Sequence, residues 1–443
     1  MDAEQSPRPF NVTNAMVFNI AWPMTLAFLT TPLLGIVDTA VVGQLGDAAL
    51  MGGLAVGAIL FDIIFTTFNF LRAGTTGLVA QAFGKGSRLE EQAVLLRSAL
   101  VSIAGGLLVI LLAGPMLEFG LYAMSPTQAV ADATRTYFTI RILAAPLTLA
   151  NYTVLGWLLG LGQAGRGLAV QTVLNGVNIA LSVYFGLILG WGIEGVAWAT
   201  VCGEAAGLAM GAAFLWAGLD RKQVPDRPTL FQKKEWVRLF AVNRDILIRS
   251  FCLVFAFAFF TAQGAQFGEA TLAANAVLFN FFIVAGYFLD GFATAAEQLA
   301  GRAVGAQYRP AFDRAVKLTL FWGSVLAILC SVVSFLFGPL LIDAMTTNTE
   351  VREIARLYLP WAAFAAIAGV VAFQMDGVFI GATWSRDMRD MMLISLVAYL
   401  AVFYALVPVF ENHALWFAIE IFLGLRGITL FYRMNIRLRE TFG

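Results

Sequence analysis

Residues 144–160 read AAPLTLANYTVLGWLLG, and residues 365–381 read AAIAGVVAFQMDGVFIG. Both apolar stretches begin with Ala-Ala and end on a G-x-x-x-G spacing, and their residue numbers differ by 221. When the comparison is extended to residues 123–160 and 344–381, nine positions are identical without a gap. Repeats of this kind are typical of transporters built from two bundles of membrane helices. The chain is therefore predicted to contain two homologous halves.

The composition indicates that most of the chain lies in lipid. Of the 443 residues, 60% are hydrophobic and 13% are charged, whereas soluble domains have about a quarter charged residues. Twelve apolar stretches are long enough to cross about 30 Å of hydrocarbon. We predict an all-α polytopic membrane protein with twelve transmembrane helices in two homologous six-helix lobes. The predicted spans are 15–42, 48–80, 92–114, 131–159, 167–189, 193–218, 244–265, 271–302, 315–342, 352–381, 388–409 and 412–434.

The charges of the connections alternate along the chain. Odd-numbered connections contain acids, such as Asp47 and Glu118, and almost no Lys or Arg. Even-numbered connections contain bases, such as Arg166 and Arg309. This alternation follows the positive-inside rule for twelve helices with both termini in the cytoplasm. We therefore expect a multi-pass protein of a cell's inner (plasma) membrane.

These assignments predict five divisions. They are a cytoplasmic N-terminus (1–14), an N-lobe of helices 1 to 6 (15–218), a basic cytoplasmic linker (219–243), a C-lobe of helices 7 to 12 (244–434) and a cytoplasmic C-terminus (435–443). Each chain contains one complete set of helices, so we expect it to function as a monomer.

The residue counts argue against several classes of function. The net charge is zero and the basic residues are not gathered into one tract, so a nucleic-acid partner is not expected. The chain has one histidine and three cysteines without paired spacing. This composition is unsuited to metal cages and histidine-based catalytic triads. We expect no enzyme activity, no catalytic residue, no cofactor and no structural metal; the lipid bilayer is the expected partner.

An aspartate in the first span needs an explanation. Residues 32–46 read PLLGIVDTAVVGQLG, which places Asp38 in an apolar segment. A carboxylate at a helix centre costs about 2.5–3.5 kcal/mol on insertion scales. In the repeat, Asp376 aligns with Leu155 at the offset of 221, and Asp38 aligns with Phe260 after one residue of slippage. Because each acid occurs in one half only, function explains them better than packing; an interfacial position is the alternative for Asp38.

Acids in the second half predict a polar face for substrate. Asp290 and Glu297 are seven residues apart, so they share one helix face, with Tyr287 as a nearby aromatic surface. Asp376 lies well inside span ten. We predict that these four residues bind substrate, with a structural pair between Glu297 and Arg302 as the alternative for that acid.

Two further pairs of charged residues lie in the second half. Asp245 and Arg249 have i,i+4 spacing at a helix start, which predicts a local ion pair or an inner gate contact. Glu420 and Arg426 on span twelve receive no role from the sequence.

Several motifs, in order along the chain, resemble one transporter family. They are GIVDTAVVGQLG from residue 35, QAFGKGS from 81, LNGVNIAL from 174, GIEGVAWAT from 192, TLAANAVLFNFF from 271 and MDGVFIGATWSRDMRD from 375. The chain resembles the multidrug and toxic compound extrusion (MATE) family, in its DNA-damage-inducible protein F (DinF) branch. The resemblance implies export of small organic cations or other drug-like compounds, driven by inward movement of H⁺ or Na⁺.

The resemblance also implies an ion site in the N-lobe. Its residues map to Asp38, Asn178, Ser182 and Thr200, where family members typically have a second carboxylate in place of Ser182. A monovalent cation could be held at Asp38, Asn178 and Thr200. Glu204, one turn after Thr200, is a candidate second acid, with a packing role as the alternative. Because one carboxylate can carry a proton by itself whereas a dehydrated cation prefers several charged oxygens, we favour H⁺ over Na⁺.

An alternative function is a flippase for a lipid-linked precursor. It predicts a strongly cationic interior that holds phosphate groups, whereas the sequence has more intramembrane acids than bases that are clearly buried.

Overall fold

The computed structural model describes residues 8–443, and the described chain is helical without strands. The first eight helices are α1 Asn14–Gly43, α2 Ala48–Thr67, α3 Phe70–Lys85, α4 Arg88–Leu111, α5 Ala113–Met124, α6 Gln128–Arg141, α7 Ala145–Gly160 and α8 Ala164–Val183. The others are α9 Gly192–Gly218, α10 Arg227–Leu230, α11 Lys233–Gly264, α12 Glu269–Gly305, α13 Arg309–Met345, α14 Thr349–Gly381 and α15 Ser385–Phe442. The all-α prediction is confirmed.

The last helix contains two predicted spans. Eleven described helical segments are long and apolar enough to cross a membrane, and α15 is the longest, with 58 residues. At 1.5 Å per residue it measures about 87 Å, far more than one crossing needs. Its backbone is non-helical at Glu411 (φ 46°, ψ −124°), where two helices meet. The kink separates spans eleven and twelve, so the structure agrees with twelve.

Two other predicted spans are also interrupted. The second consists of α2 and α3, which are separated at Phe68 and Asn69. The fourth consists of α6 and α7, joined by a 3₁₀ turn at Ile142–Ala144. Such breaks in membrane helices are tolerated where neighbouring helices satisfy the backbone.

The described chain forms two compact units by its internal contacts. The N-unit comprises Leu26–Phe83 and Ser87–Leu239, and the C-unit comprises Phe240–Gly443 with Gly84–Gly86 and the described residues 8–25. Each unit has its own apolar core. Phe61 and Phe138 lie at the centre of one core in the N-unit, whereas Phe260 and Trp416 lie in the main core of the C-unit.

Close glycine contacts recur in both units. A Cβ at Gly156 on α7 would meet the carbonyl oxygen of Arg72 on α3, and a Cβ at Gly377 on α14 would meet that of Ala293 on α12. Gly156 corresponds to Gly377 and Arg72 corresponds to Ala293, each at the offset of 221 residues. Small residues allow this approach between membrane helices. The sequence repeat is therefore a repeat of helix packing.

A repeated arginine has the same kind of partner in each unit. Arg135 on α6 donates to Glu118 on α5 at 3.0 Å, and Arg356 on α14 donates to Asp343 on α13 at 2.6 Å. Each arginine thus joins two helices that are consecutive in the chain.

Candidate functional site

A buried polar row lies between α1 and α8 of the N-unit. The Ser182 hydroxyl lies 2.8 Å from Asp38 Oδ1 and 3.1 Å from Asn178 Oδ1, and can donate to either. Asp38 is only 7% exposed, and both α8 side chains are fully buried. Asn178 and Ser182 lie on the same side of α8 because they are one helical turn apart. The structure therefore brings the first three predicted ion-site residues together.

Thr200 on α9 completes the cluster. Asn178 Nδ2 donates to Thr200 Oγ1 at 3.3 Å, and the Thr200 hydroxyl donates to the Val196 carbonyl at 3.2 Å. The close approach of α9 to α8 depends on Gly203, where a Cβ would meet Asn178. We call Asp38, Asn178, Ser182 and Thr200 the Asp38 cluster.

The polar row extends beyond the predicted residues. Asn175 Nδ2 donates to Thr30 Oγ1 at 2.8 Å, which links α8 to α1 a second time. Gln171, one turn earlier on α8, donates to Asn175. Polar residues at 171, 175, 178 and 182 follow the 3- and 4-residue spacing of one helix face, so the sequence contained this signal.

Arg141 is a cation near the cluster that the sequence analysis missed. Its Nη1 donates to the Tyr137 hydroxyl at 2.7 Å, and its guanidinium lies 4.5 Å from the Phe61 ring centroid. It interacts electrostatically with Asp38 and also with Glu204. No local motif indicates this role, because Arg141 lies on α6 and the acids on α1 and α9.

Glu204 lies outside the hydrogen-bonded cluster. Its carboxylate accepts from Asn151 Nδ2 at 2.7 Å, and the same amide donates to the Glu204 carbonyl at 2.9 Å. Glu204 therefore joins α9 to α7 in this conformation.

Asp376 is held by arginines in the C-unit. Arg249 on α11 forms a hydrogen-bonded ion pair with Asp376 Oδ2, and Arg426 Nη2 lies 3.7 Å from the same oxygen. Arg426 is 1% exposed and lies over the rings of Phe373 and Phe422. The Asp376 carboxylate is thus already neutralised by protein cations.

The other predicted substrate residues lie on α12. Glu297 is buried, whereas Asp290 and Tyr287 are partly exposed. Asp290 interacts electrostatically with Arg426, as Asp376 does. Glu297 lies where α12 approaches Gly381 of α14.

The local pair predicted between Asp245 and Arg249 does not form. Asp245 accepts from Arg389 at 2.8 Å and from Ser385 at 3.2 Å, both on α15. Arg249 pairs with Asp376 instead. Both side chains join helices that are distant in sequence, which a local spacing rule does not predict.

Among residues 8–443, no group of three or more His, Cys, Asp and Glu side chains has the arrangement of a metal site.

The sequence model of one family, described as MatE, matches residues 23–184 and again 246–406. The chain belongs to the MatE family. One matched segment lies in each half of the chain, as the internal repeat predicts. As a member of this family, the chain is a multi-pass membrane transporter and not an enzyme.

Two relatives illustrate the range of this family. DNA damage-inducible protein F of Escherichia coli (strain K12) is 36% identical over 94% of this chain and 90% of its own length. The probable multidrug resistance protein NorM of Deinococcus radiodurans is 28% identical over 96% of this chain and 95% of its own. The chain is thus comparable in extent to MatE relatives.

Solved structures share the fold. A MATE protein in the bent conformation gives a TM-score of 0.88 at 17% identity and covers 96% of this chain and 95% of its own. An outward-facing multidrug resistance MATE transporter of the MOP superfamily gives 0.86 at 17% identity, with 96% of both chains covered.

Proposed function

We propose that this transporter exports organic compounds, often cationic, in exchange for protons, by alternating access of its two lobes. The supporting observation is the hydrogen-bond arrangement of the Asp38 cluster. A transported ion drives such a cycle only if it binds the two conformations with different affinity. Asp38 is the residue at which we place that ion.

Ser182 has one hydroxyl proton but two acceptors within reach, Asp38 Oδ1 and Asn178 Oδ1. When Asp38 is ionised, donation to the carboxylate leaves Asn178 Oδ1 without this donor. When Asp38 carries a proton, it can donate to Ser182, and Ser182 can donate to Asn178. A proton therefore extends the chain of hydrogen bonds to Thr200 without moving any side chain.

A sodium ion fits the same residues less well. The cluster offers one carboxylate, and its hydroxyl and amide groups already bond to one another. A dehydrated cation would have to replace those hydrogen bonds, whereas a second carboxylate at position 182 would supply charge. These features support H⁺ over Na⁺, with Asp38, Asn178 and Thr200 as the ligands if a cation binds.

For substrate, we propose contacts from Asp290, Glu297 and Tyr287 of α12. Asp376 would take part only when its pairing with Arg249 changes. Glu204 is proposed as an additional ion-coupling acid. To bind the ion, it would release its hydrogen bond from Asn151.

The remaining proposals concern the location of the protein in the cell, its oligomeric state and its division into lobes. We propose a plasma-membrane protein with cytoplasmic termini that functions as a monomer. We also propose a functional division at the linker 219–243, with lobes at 15–218 and 244–434.

The deciding experiment is export of a fluorescent organic cation from proteoliposomes under a proton gradient or a sodium gradient. Wild type is compared with Asp38→Asn and with the control Asp47→Asn, an exposed N-cap whose replacement can still accept from the Ala49 amide. The proposal expects export driven by protons, lost in Asp38→Asn and retained in the control. Export that follows a sodium gradient at constant pH and membrane potential would contradict it.

A second candidate function is a flippase for a lipid-linked precursor, and one observation favours it. Arg426 is buried, and its Nε and Nη1 have no hydrogen-bond partner among the described residues. Guanidinium groups bind phosphates well. Binding of phosphorylated lipids in preference to organic cations would favour this second function.

A further inference from the structure

Glu420 is a buried acid that the proposed mechanism does not use. It lies in the second arm of α15, after the kink at Glu411, and is 6% exposed. Neither carboxyl oxygen has a hydrogen-bond partner among residues 8–443. Buried carboxyl groups are nearly always hydrogen-bonded or paired, so each exception needs an explanation.

The surroundings of Glu420 are apolar. Trp416 and Leu423 lie one turn before and after it on the same side of the helix. The indole of Trp416 donates to Asn275 and lies 4.9 Å from the Phe260 ring. The Trp416 indole is therefore directed to Asn275 and not to Glu420.

The neighbouring helices carry other ionisable groups. Among them are Asp245, Arg249 and Cys252 on α11, Asp290 and Glu297 on α12, Asp376 on α14, and Tyr399, His413 and Arg426 on α15. Asp376 pairs with Arg249 and Arg426, and Asp245 pairs with Arg389. In the described chain, none of them hydrogen-bonds to Glu420, and no cation lies within 4.0 Å of its carboxylate.

An ionised carboxylate without partners is strongly destabilised in such surroundings, whereas a protonated one is not. Packing does not require an acid at this position, since a glutamine or methionine has similar volume. Acids inside membrane segments mark ion pathways and proton relays. Glu420 therefore has the features of a proton carrier in its protonated form.

We propose that Glu420 is a second proton-binding site, located in the C-unit, and that the transporter moves two protons per cycle, one on Asp38 and one on Glu420. The inference rests on the proposed proton-coupled export. Each carboxylate gains a proton from the outer side and loses it to the inner side. No other covalent change occurs.

The test is the number of protons released by detergent-solubilised protein when a fluorescent organic cation binds, measured with a pH-sensitive dye in weak buffer. Wild type should release two protons per bound molecule, Glu420→Gln and Asp38→Asn one each, and the double variant none. Glu350→Gln, an exposed acid of the same unit, should behave as wild type. If wild type releases none, the proposed function fails. If Glu420→Gln releases as many as wild type, only the Glu420 proposal fails.

A measurement on wild type alone guards against a variant that does not fold. Dicyclohexylcarbodiimide modifies protonated carboxyl groups in apolar surroundings, and mass spectrometry locates the modified residue. The proposal expects labelling of Glu420 that decreases as the pH rises and not of exposed Glu350. Labelling of Asp38 without labelling of Glu420 would overturn it.

Discussion

Ser182 on α8 lies 2.8 Å from Asp38 on α1, and its hydroxyl is within hydrogen-bond distance of the carboxylate across the two helices. The contact places the neutral Ser182 hydroxyl beside Asp38, the acid in the otherwise apolar sequence of the first span. Since a hydroxyl can both donate and accept, Ser182 remains bonded to Asp38 whether or not the acid is protonated. A carboxylate at position 182 would instead repel an ionised Asp38.

The first prediction concerns the identity of the coupling ion. Ser182→Asp adds a second carboxylate to the Asp38 cluster, and we expect export to become dependent on Na⁺ because the two charges then favour a bound cation. The measurement is export by proteoliposomes at fixed pH with varied Na⁺. Ser182→Ala is the control; it should lower proton-driven export without adding a sodium response. Equal responses of both variants to Na⁺ would contradict the role assigned to Ser182.

The second prediction concerns the buried ion pair of the C-unit. Arg249→Met leaves Asp376 with the more distant Arg426, and breaking a buried pair typically costs about 3–5 kcal/mol. We expect a markedly lower unfolding temperature in detergent, measured by dye-based thermal unfolding. Arg426 contacts the same carboxylate, so the compensating variant replaces all three residues, in Arg249→Met with Asp376→Leu and Arg426→Met, and should recover much of the loss. No recovery in the triple variant would show that the side chains contribute independently.

The third prediction compares one substitution at two glycines. Gly377→Ala places a methyl group against the Ala293 carbonyl and should destabilise the protein by about 1–3 kcal/mol. Gly424→Ala has no atom within 4 Å of the new Cβ and should be neutral or stabilising by up to about 1 kcal/mol, because alanine favours helix. The unfolding temperature should therefore fall for Gly377→Ala and should stay the same or rise for Gly424→Ala. Equal destabilisation would contradict the packing assigned to Gly377.

The fourth prediction concerns pH at an exposed ion pair. Hydrogen bonds from Arg135 hold the pKa of Glu118 below its ordinary value. Because the folded pKa is the lower one, the pair stabilises the folded state above an ordinary pKa of 4.5, and this contribution is lost as the pH falls through the folded value. The difference in unfolding temperature between wild type and Glu118→Gln should be present at neutral pH and should shrink on acidification. A difference that stays constant with pH would argue against this ion pair.

Some of the site could be predicted because its information is local. Asp38 is conspicuous as an acid in an apolar segment, and Asn178 and Ser182 share a face because they are four residues apart. The resemblance to MATE proteins related them to Thr200. Arg141 could not be found in this way, because its effect on Asp38 depends on how α6 packs and not on any spacing.

The sequence by itself determined the membrane character, the number of spans and the repetition of two halves. Hydrophobic length and glycine spacing are local properties of each helix, and the repeat retains them at a fixed offset. Tertiary structure alone decided the partners of the charged side chains. Within the described chain, Asp376 meets Arg249 and Glu420 meets no hydrogen-bonding partner. The reason is that long side chains on packed helices are matched in three dimensions, where the separation along the chain no longer limits which groups come together.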